Sequence, residues 1–328
     1  MPNKDNEDRR HHIAKKSMKV TNGSEYNAGL RRHGSLTLWI TEEAVAAWRA
    51  PARLTRGGQA QYSDTAIETN LLLRSAFRLP LRQSQGLMTS VFELLEVGLA
   101  VPDYSTVCRR GTKLPSISLG RLPKGPLHVL IDSTGLKVYG AGQWLVKKHG
   151  QRSRRCWRKL HLAVDANTNL IVACVLTEQD EDDPSQVGPL LAQIPSEIEI
   201  AQVTADGAYD GEPTYQTILA RQSDIAMVIP PRIGAVLSQA DGAIVTHRDA
   251  HVLMMEALGR LGWQEATGYG KRSLVETTMG RYKGIIGARL RSRSWPAQQC
   301  EAAIGVAVLN RMTEAGCPRS VRTGGAYA

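Results

Sequence analysis

The chain of 328 residues, 42% of them hydrophobic, can bury a sizeable core, and its length suggests two domains or one large domain with an appendage. No run of about 18 or more apolar residues exists to span a bilayer, and the N-terminal MPNKDNEDRRHHIAKK lacks the apolar core of a secretory signal, so a cytoplasmic location is expected. A net charge of +10 and a pI near 9.5 favour a polyanionic partner, while Cys108, Cys156, Cys174, Cys300 and Cys317 form no C-x-x-C pair and so indicate neither a zinc module nor a disulfide framework.

Residues 1–35 are polar and without periodic apolar positions, which reads as a flexible basic arm. From residue 36 to 113 the pattern is helical. Thr41 followed by Glu42 and Glu43 looks like a cap with acids in the first turn, ahead of Ala44, Val45, Ala47 and Trp48. A second helix is expected over 64–78 and a third over 82–97, with Leu87, Val91, Leu94 and Leu95 on one face. Gly98 and Pro102 then break the chain before DYSTVCRR, a short segment with Arg109 and Arg110 at its end. Helix, Gly-containing turn and short basic helix together are what a helix-turn-helix DNA reader requires, although many helical hairpins share the pattern and bind nothing.

After a linker over 114–126 the periodicity changes. LHVLIDS, GLKVYG, RKLHLAVDA, LIVACVLTE, IAQVTADGA and IAMVIPP are short runs rich in Val, Ile and Leu, separated by turn residues, with helices expected at PSQVGPLLAQI and EPTYQTILARQ. The first three runs are close enough to pair antiparallel, whereas the later ones, separated by helices, suit parallel pairing. The expectation is an α/β fold with a mixed sheet covered by helices, over 127–315, closing with a helix over 295–312 and a disordered tail over 316–328. The acidic run EQDEDD at 178–183 reads as a solvated loop, and His161 as a packed or surface histidine.

Two basic stretches interrupt this domain. Seven Lys or Arg and no acid lie between Lys147 and Lys159, where Lys147, Lys148, Arg154, Arg155 and Lys159 are candidate DNA contacts; seven more lie between Lys271 and Arg293, against Glu276 alone. Glu276 therefore needs a reason. On a single helix over 269–283, Tyr269, Arg272, Glu276 and Lys283 fall within about 60° of one another, and Val275, Met279, Tyr282 and Ile286 form a neighbouring apolar stripe that would dock the helix on the sheet. Asp132 and Asp206 each follow an apolar strand pattern, and neighbouring strands can bring two such carboxylates close enough to call for a divalent cation. Each has a structural alternative as a turn acid, Asp210 competes with Asp206, and Ser273 with Glu276 also fits a capping box.

The spacing of Tyr269, Arg272, Glu276 and Lys283 matches the Y-x2-R-x3-E-x6-K pattern of bacterial insertion-sequence transposases of the DDE superfamily. With IDSTGLKVYG, KHGQRSRRCWRKLHLAVD, VTADGAYD and LNRM, the chain resembles the insertion-sequence-five family from about residue 36 to 312. The resemblance implies a ribonuclease-H-like core with Asp132, Asp206 and Glu276 as catalytic, metal-holding residues, and Tyr269, Arg272 and Lys283 contacting the transposon end. An all-carboxylate set suits Mg²⁺ or Mn²⁺, expected as two ions. The partners implied are double-stranded DNA, as terminal inverted repeats and target, and a second copy or more of the chain on DNA ends. The setting implied is the bacterial cytoplasm, at the nucleoid. The activity implied is strand cleavage and strand transfer; a nuclease on the same core and a catalytically silent DNA-binding regulator are the alternatives.

Overall fold

The computed structural model describes residues 18–52, 54, 56–114, 117–138, 157–238 and 246–323. Lys147, Lys148, Arg154 and Arg155 lie outside the described residues. The chain divides into two compact units, Met1–Leu38 with Met312–Ala328, and Trp39–Arg311.

Residues 18–33 and 320–322 of the first unit hold regular elements where an irregular arm and tail were expected. Strand β1 (Met18–Val20) pairs antiparallel with β8 (Ser320–Arg322), and helix α1 (Gly23–His33) follows β1. The polar residues that suggested an unstructured arm instead satisfy carbonyls and amides of the C-terminal segment. Asn22 donates to the Cys317 carbonyl (3.0 Å) and accepts from the Arg319 amide (2.7 Å), Arg32 donates to the Ala315 carbonyl, and His33 bonds the Met312 carbonyl (2.9 Å). At Gly29 a Cβ would sit 2.6 Å from Gly316 Cα, so the close approach of the two backbones requires glycine. Local composition could not reveal this pairing, because the partner segment is nearly 300 residues away.

The second unit begins with helices α2 (Glu42–Ala46), α3 (Asp64–Ala76), α4 (Leu81–Leu94) and α5 (Tyr104–Gly111). Three of the four starts carry side-chain caps: Thr41 accepts from the Ala44 amide, Ser63 from that of Ala66 and Asp103 from that of Ser105. The buried face of α4 is Ser84, Met88, Val91 and Phe92 rather than the expected leucine stripe; Leu94 and Leu95 are exposed. Phe92 instead packs on the ring of Trp48, 4.9 Å between centroids.

The sheet consists of β2 (Leu127–Val138), β3 (Trp157–Asp165), β4 (Ile171–Glu178), β5 (Ile200–Thr204), β6 (Ala226–Val228) and β7 (Arg289–Leu290), in the order β4-β3-β2-β5-β6, with β7 also pairing with β2. β3 pairs antiparallel with both β2 and β4, while β5 runs parallel to β2 and β6 parallel to β5, as the connection lengths predict. LHVLIDS and the GLKV of the next run form one continuous strand, residues 127–138, rather than two. Gly135, which looks like a turn in sequence, lies under the ring of Trp157, where a Cβ would be 3.1 Å from the nearest ring carbon.

Alternation along β2 separates the two faces. Val129 and Ile131 join a core with Val187, Leu190 and Ile218, from helices α6 (Val187–Leu191) and α7 (Glu212–Arg221). Leu130 and Leu136 join the opposite core with Val275, Met279 and Tyr282 and with Ala302, Val306 and Leu309. These last belong to α9 (Ser273–Arg281), to the π turn Tyr282–Ile286 that extends it, and to α10 (Trp295–Ala315).

Before α9 comes helix α8 (His247–Thr267), broken at Gly259 (φ 67°), for which the sequence reading made no assignment. Thr246 caps its start and left-handed Gly268 ends it. Among the described residues no helix is long and apolar enough to cross a membrane.

Candidate active site

Asp132 stands in the middle of β2, opposite Leu162 of β3, and not at a strand end as the sequence suggested. By alternation it shares the face of Leu130, towards α9. Asp206 does follow a strand: it caps the turn Gly207–Tyr209 after β5 and accepts from the Ala208 amide (2.8 Å). Glu276 sits on α9, with its side chain 54% exposed.

Arg272 joins two of these acids. Its Nη1 donates to Asp132 Oδ2 (2.9 Å), its Nη2 to Glu276 Oε1 (2.9 Å) and its Nε to the Tyr269 hydroxyl (3.0 Å). Tyr269 is in turn held by Trp263 of α8, at 5.1 Å between ring centroids, and Trp263 is anchored through its Nε1 to His251 Nδ1 (3.1 Å). The kinked helix that the sequence did not reveal is therefore what braces the arginine.

Residues 269–283 are not one helix: Tyr269–Arg272 is a 3₁₀ turn, α9 follows, and Lys283 lies in the π turn. The ridge of Tyr269, Arg272 and Glu276 nevertheless forms. The capping box does not: the Ser273 hydroxyl donates to the Gly270 carbonyl, and Glu276 is engaged by Arg272.

The electrostatics of the group are uneven. Burial raises the Asp132 carboxyl above its ordinary value, and the charge of Asp206 adds to this against the opposing pull of Arg272 and the Ser133 amide. Burial works against the Arg272 charge, yet Tyr269, Asp132, Glu276 and Asp206 together hold it above its ordinary value. One cation thus serves several acids, while Asp132 has the single ion pair to offset its burial.

Among the described residues no three of His, Cys, Asp and Glu are grouped closely enough to hold an ion between them. The donor chemistry, carboxylate oxygens alone, suits a hard divalent cation. Arg272 supplies the positive charge between Asp132 and Glu276.

Two residues that sequence reasoning did not single out adjoin the site. Asp183, from the run expected to be a solvated loop, accepts from the Ser133 hydroxyl (3.1 Å) and from Lys159 Nζ (3.1 Å), and lies 3.9 Å from His161 Nδ1. Lys159 is thereby engaged within the protein, on the face of β3 that pairs His161 with Ser133. His161 is fully buried, bonded to Thr177 through Nε2, and burial lowers its pKa to about 4, so it is neutral and packed, as the sequence suggested.

Tyr209 is the second. Its hydroxyl is buried with no hydrogen-bond partner among the described residues, and burial followed by the charges of Asp183, Asp132 and Asp206 raises its pKa. The DGAYD turn gave no sign of this role, because spacing alone does not distinguish a packed tyrosine from one facing acids.

Asp210, the rival of Asp206, has partners of its own. It is buried and holds Arg248 (3.0 Å) and the Arg232 amide (2.9 Å), and it does not cap the helix that follows, which starts from Gly211 without a side-chain cap.

Of the basic candidates, Arg110 is engaged by the Tyr62 carbonyl and Asp64, while Arg109 and Lys283 face a common groove.

A solved transposase, described as the piggyBac transposase synaptic complex with hairpin DNA, is 12% identical, with 90% of this chain and 76% of that one covered and a TM-score of 0.39. A family model described as Transposase DDE domain matches residues 123–311, more than half of the chain and all of the segments that carry Asp132, Asp206 and Glu276, and a second model of the same description matches residues 31–141. The chain belongs to the DDE transposase family and is a DDE-type DNA transposase.

Proposed function

We propose that this transposase binds the terminal inverted repeats of an insertion sequence of the insertion-sequence-five type and carries out strand cleavage and strand transfer at a site made by Asp132, Asp206 and Glu276. The observation that supports this reading is that one guanidinium, that of Arg272, bonds Asp132 of β2 and Glu276 of α9 together, with the charge of Asp206 from the turn after β5 acting on it as well.

The family uses divalent metal. Asp132, Asp206 and Glu276 would hold it, in our reading as two Mg²⁺ or Mn²⁺ ions, and bound metal would polarise the attacking water or 3′-hydroxyl and neutralise the leaving 3′ oxygen. In this reading Arg272 holds Asp132 and Glu276 together in the free protein and turns to a phosphate of the DNA end when the acids are taken up. Tyr269, fixed by Trp263, keeps the Arg272 stem in place, and Lys283 contacts the same end further along.

The antiparallel-then-parallel sheet supports a ribonuclease-H-like core, and the order α3, α4, α5 supports a helix-turn-helix-like DNA-binding segment before it. Association of two or more copies on paired DNA ends completes the reading.

Nicking of a terminal-repeat duplex, measured beside a mobility shift, tests it. Asp132→Ala, Asp206→Ala and Glu276→Ala should each lose nicking and joining by at least about 10²-fold while still shifting the duplex, since each removes a metal-holding oxygen and no phosphate contact. Near-normal nicking by any one of them would remove that residue from the triad.

A further inference from the structure

A groove beside the π turn is lined by the end of α3 and the chain after it, the beginning of α4, one face of α5, the π turn, and the chain from Gly287 through β7 to Arg293. Eight Lys or Arg side chains line it and no Asp or Glu does. Three of the eight build its walls. Arg74 is largely buried, Arg78 donates to the carbonyls of Gly284 and Ile285 in the π turn, and Arg291 donates to the Arg78 carbonyl (3.1 Å). Arg78 does this from a left-handed backbone (φ 55°), an uncommon conformation for a residue with a side chain.

The remaining five are Arg82, Arg109, Lys283, Arg289 and Arg293. Arg82 lies over the ring of Tyr104, 4.3 Å from its centroid. Among the described residues the side chains of Arg109, Lys283, Arg289 and Arg293 make no hydrogen bond or ion pair. Like charges gathered without counter-charges repel one another, and a groove with low-dielectric walls concentrates their field, which a polyanion relieves.

We propose that this groove is a phosphate track for duplex DNA, separate from any base reading by α5, in which Arg82 and Arg109 on one wall and Lys283, Arg289 and Arg293 on the other flank one stretch of backbone. The proposal rests on the DNA-processing reading above and extends it by a place and a set of contacts. Duplex is favoured over single-stranded DNA because single-strand channels stack successive bases on aromatic rings, and the one aromatic here, Tyr104, has its face covered by Arg82. Arg78 then acts as a rivet that fixes Lys283 relative to the helices carrying the opposite wall.

The test uses the full chain and two exposed double variants, Arg82→Ala with Arg109→Ala and Arg289→Ala with Arg293→Ala, each checked for an unchanged Tm. Affinity for a terminal-repeat duplex and for a scrambled duplex is measured against salt, with a single strand of the same length as a further arm. Each double variant should weaken both duplexes about 10- to 100-fold and reduce the log–log salt slope by about two, because two fewer counterions are released. Retention of the wild-type slope and affinity by both variants would overturn the groove while leaving the DNA-processing reading intact. Loss confined to the single strand would replace duplex by single-stranded DNA and overturn the proposal as stated. Failure of the wild-type chain to bind any duplex would overturn both.

Discussion

Arg272 is the residue on which the site balances. It bonds Tyr269, Asp132 and Glu276 at once, and without it the Asp132 carboxylate keeps, among the described residues, the Ser133 amide as its hydrogen-bond donor. If it occupies the charge position that a cation takes, Arg272→Ala should tighten Mn²⁺ binding to the free protein by about 10-fold, or ~1.4 kcal/mol, the scale of one partly screened ion pair, and weaken binding of a DNA end. Calorimetric titration reads the first and a mobility shift the second; weaker Mn²⁺ binding by the variant would show that the arginine assembles the acids rather than competing for them. Much of this group was legible in sequence, because Tyr269, Arg272 and Glu276 keep helical spacing even across a 3₁₀ turn. Asp183 and Tyr209 were not legible: one is the last of a run of acids, the other sits in a turn, and only folding brings Asp183 onto Ser133 beside Asp132 and exposes Tyr209 to the charges of Asp183, Asp132 and Asp206.

At the scale of elements, the strand pairing followed from connection lengths, but three local features depended on distant partners. β2 runs through Gly135 because Trp157 fills the space of the missing side chain, which moves Asp132 from a strand end to a strand middle. α8 is interrupted by Gly259 and had no clear apolar stripe to announce it, although Thr246 and Gly268 mark its limits. The π turn at Tyr282–Ile286 packs against α10 at Gly305, where a Cβ would lie 2.7 Å from the Tyr282 hydroxyl and 3.0 Å from Ile286 Cγ2. Gly305→Ala should therefore destabilise the protein by about 1–3 kcal/mol through overpacking, and by shifting the turn it should also weaken duplex binding through Lys283. Urea unfolding gives the first quantity; an unchanged midpoint would mean the turn yields without cost.

At the scale of the molecule, the excess of positive charge is distributed so that Asp132 and Glu276 are met by one arginine while Arg109, Lys283, Arg289 and Arg293 share a groove lined by no acid. Composition announced a polyanionic partner; only the fold separates cations that brace the structure, such as Arg78, Arg110 and Lys159, from those that face solvent. Residues 132, 206 and 276 are far apart in sequence, so a common cation site among them can exist only in the folded chain. The most direct measurement of that claim is Mn²⁺ binding, by calorimetry, to the wild-type protein and to Asp132→Asn, Asp206→Asn and Glu276→Gln, which keep shape and remove charge. The account predicts saturable binding by the wild type and a loss of at least about 10-fold in affinity for each variant, since each removes one ligand from a shared site. Wild-type affinity in all three variants would contradict it.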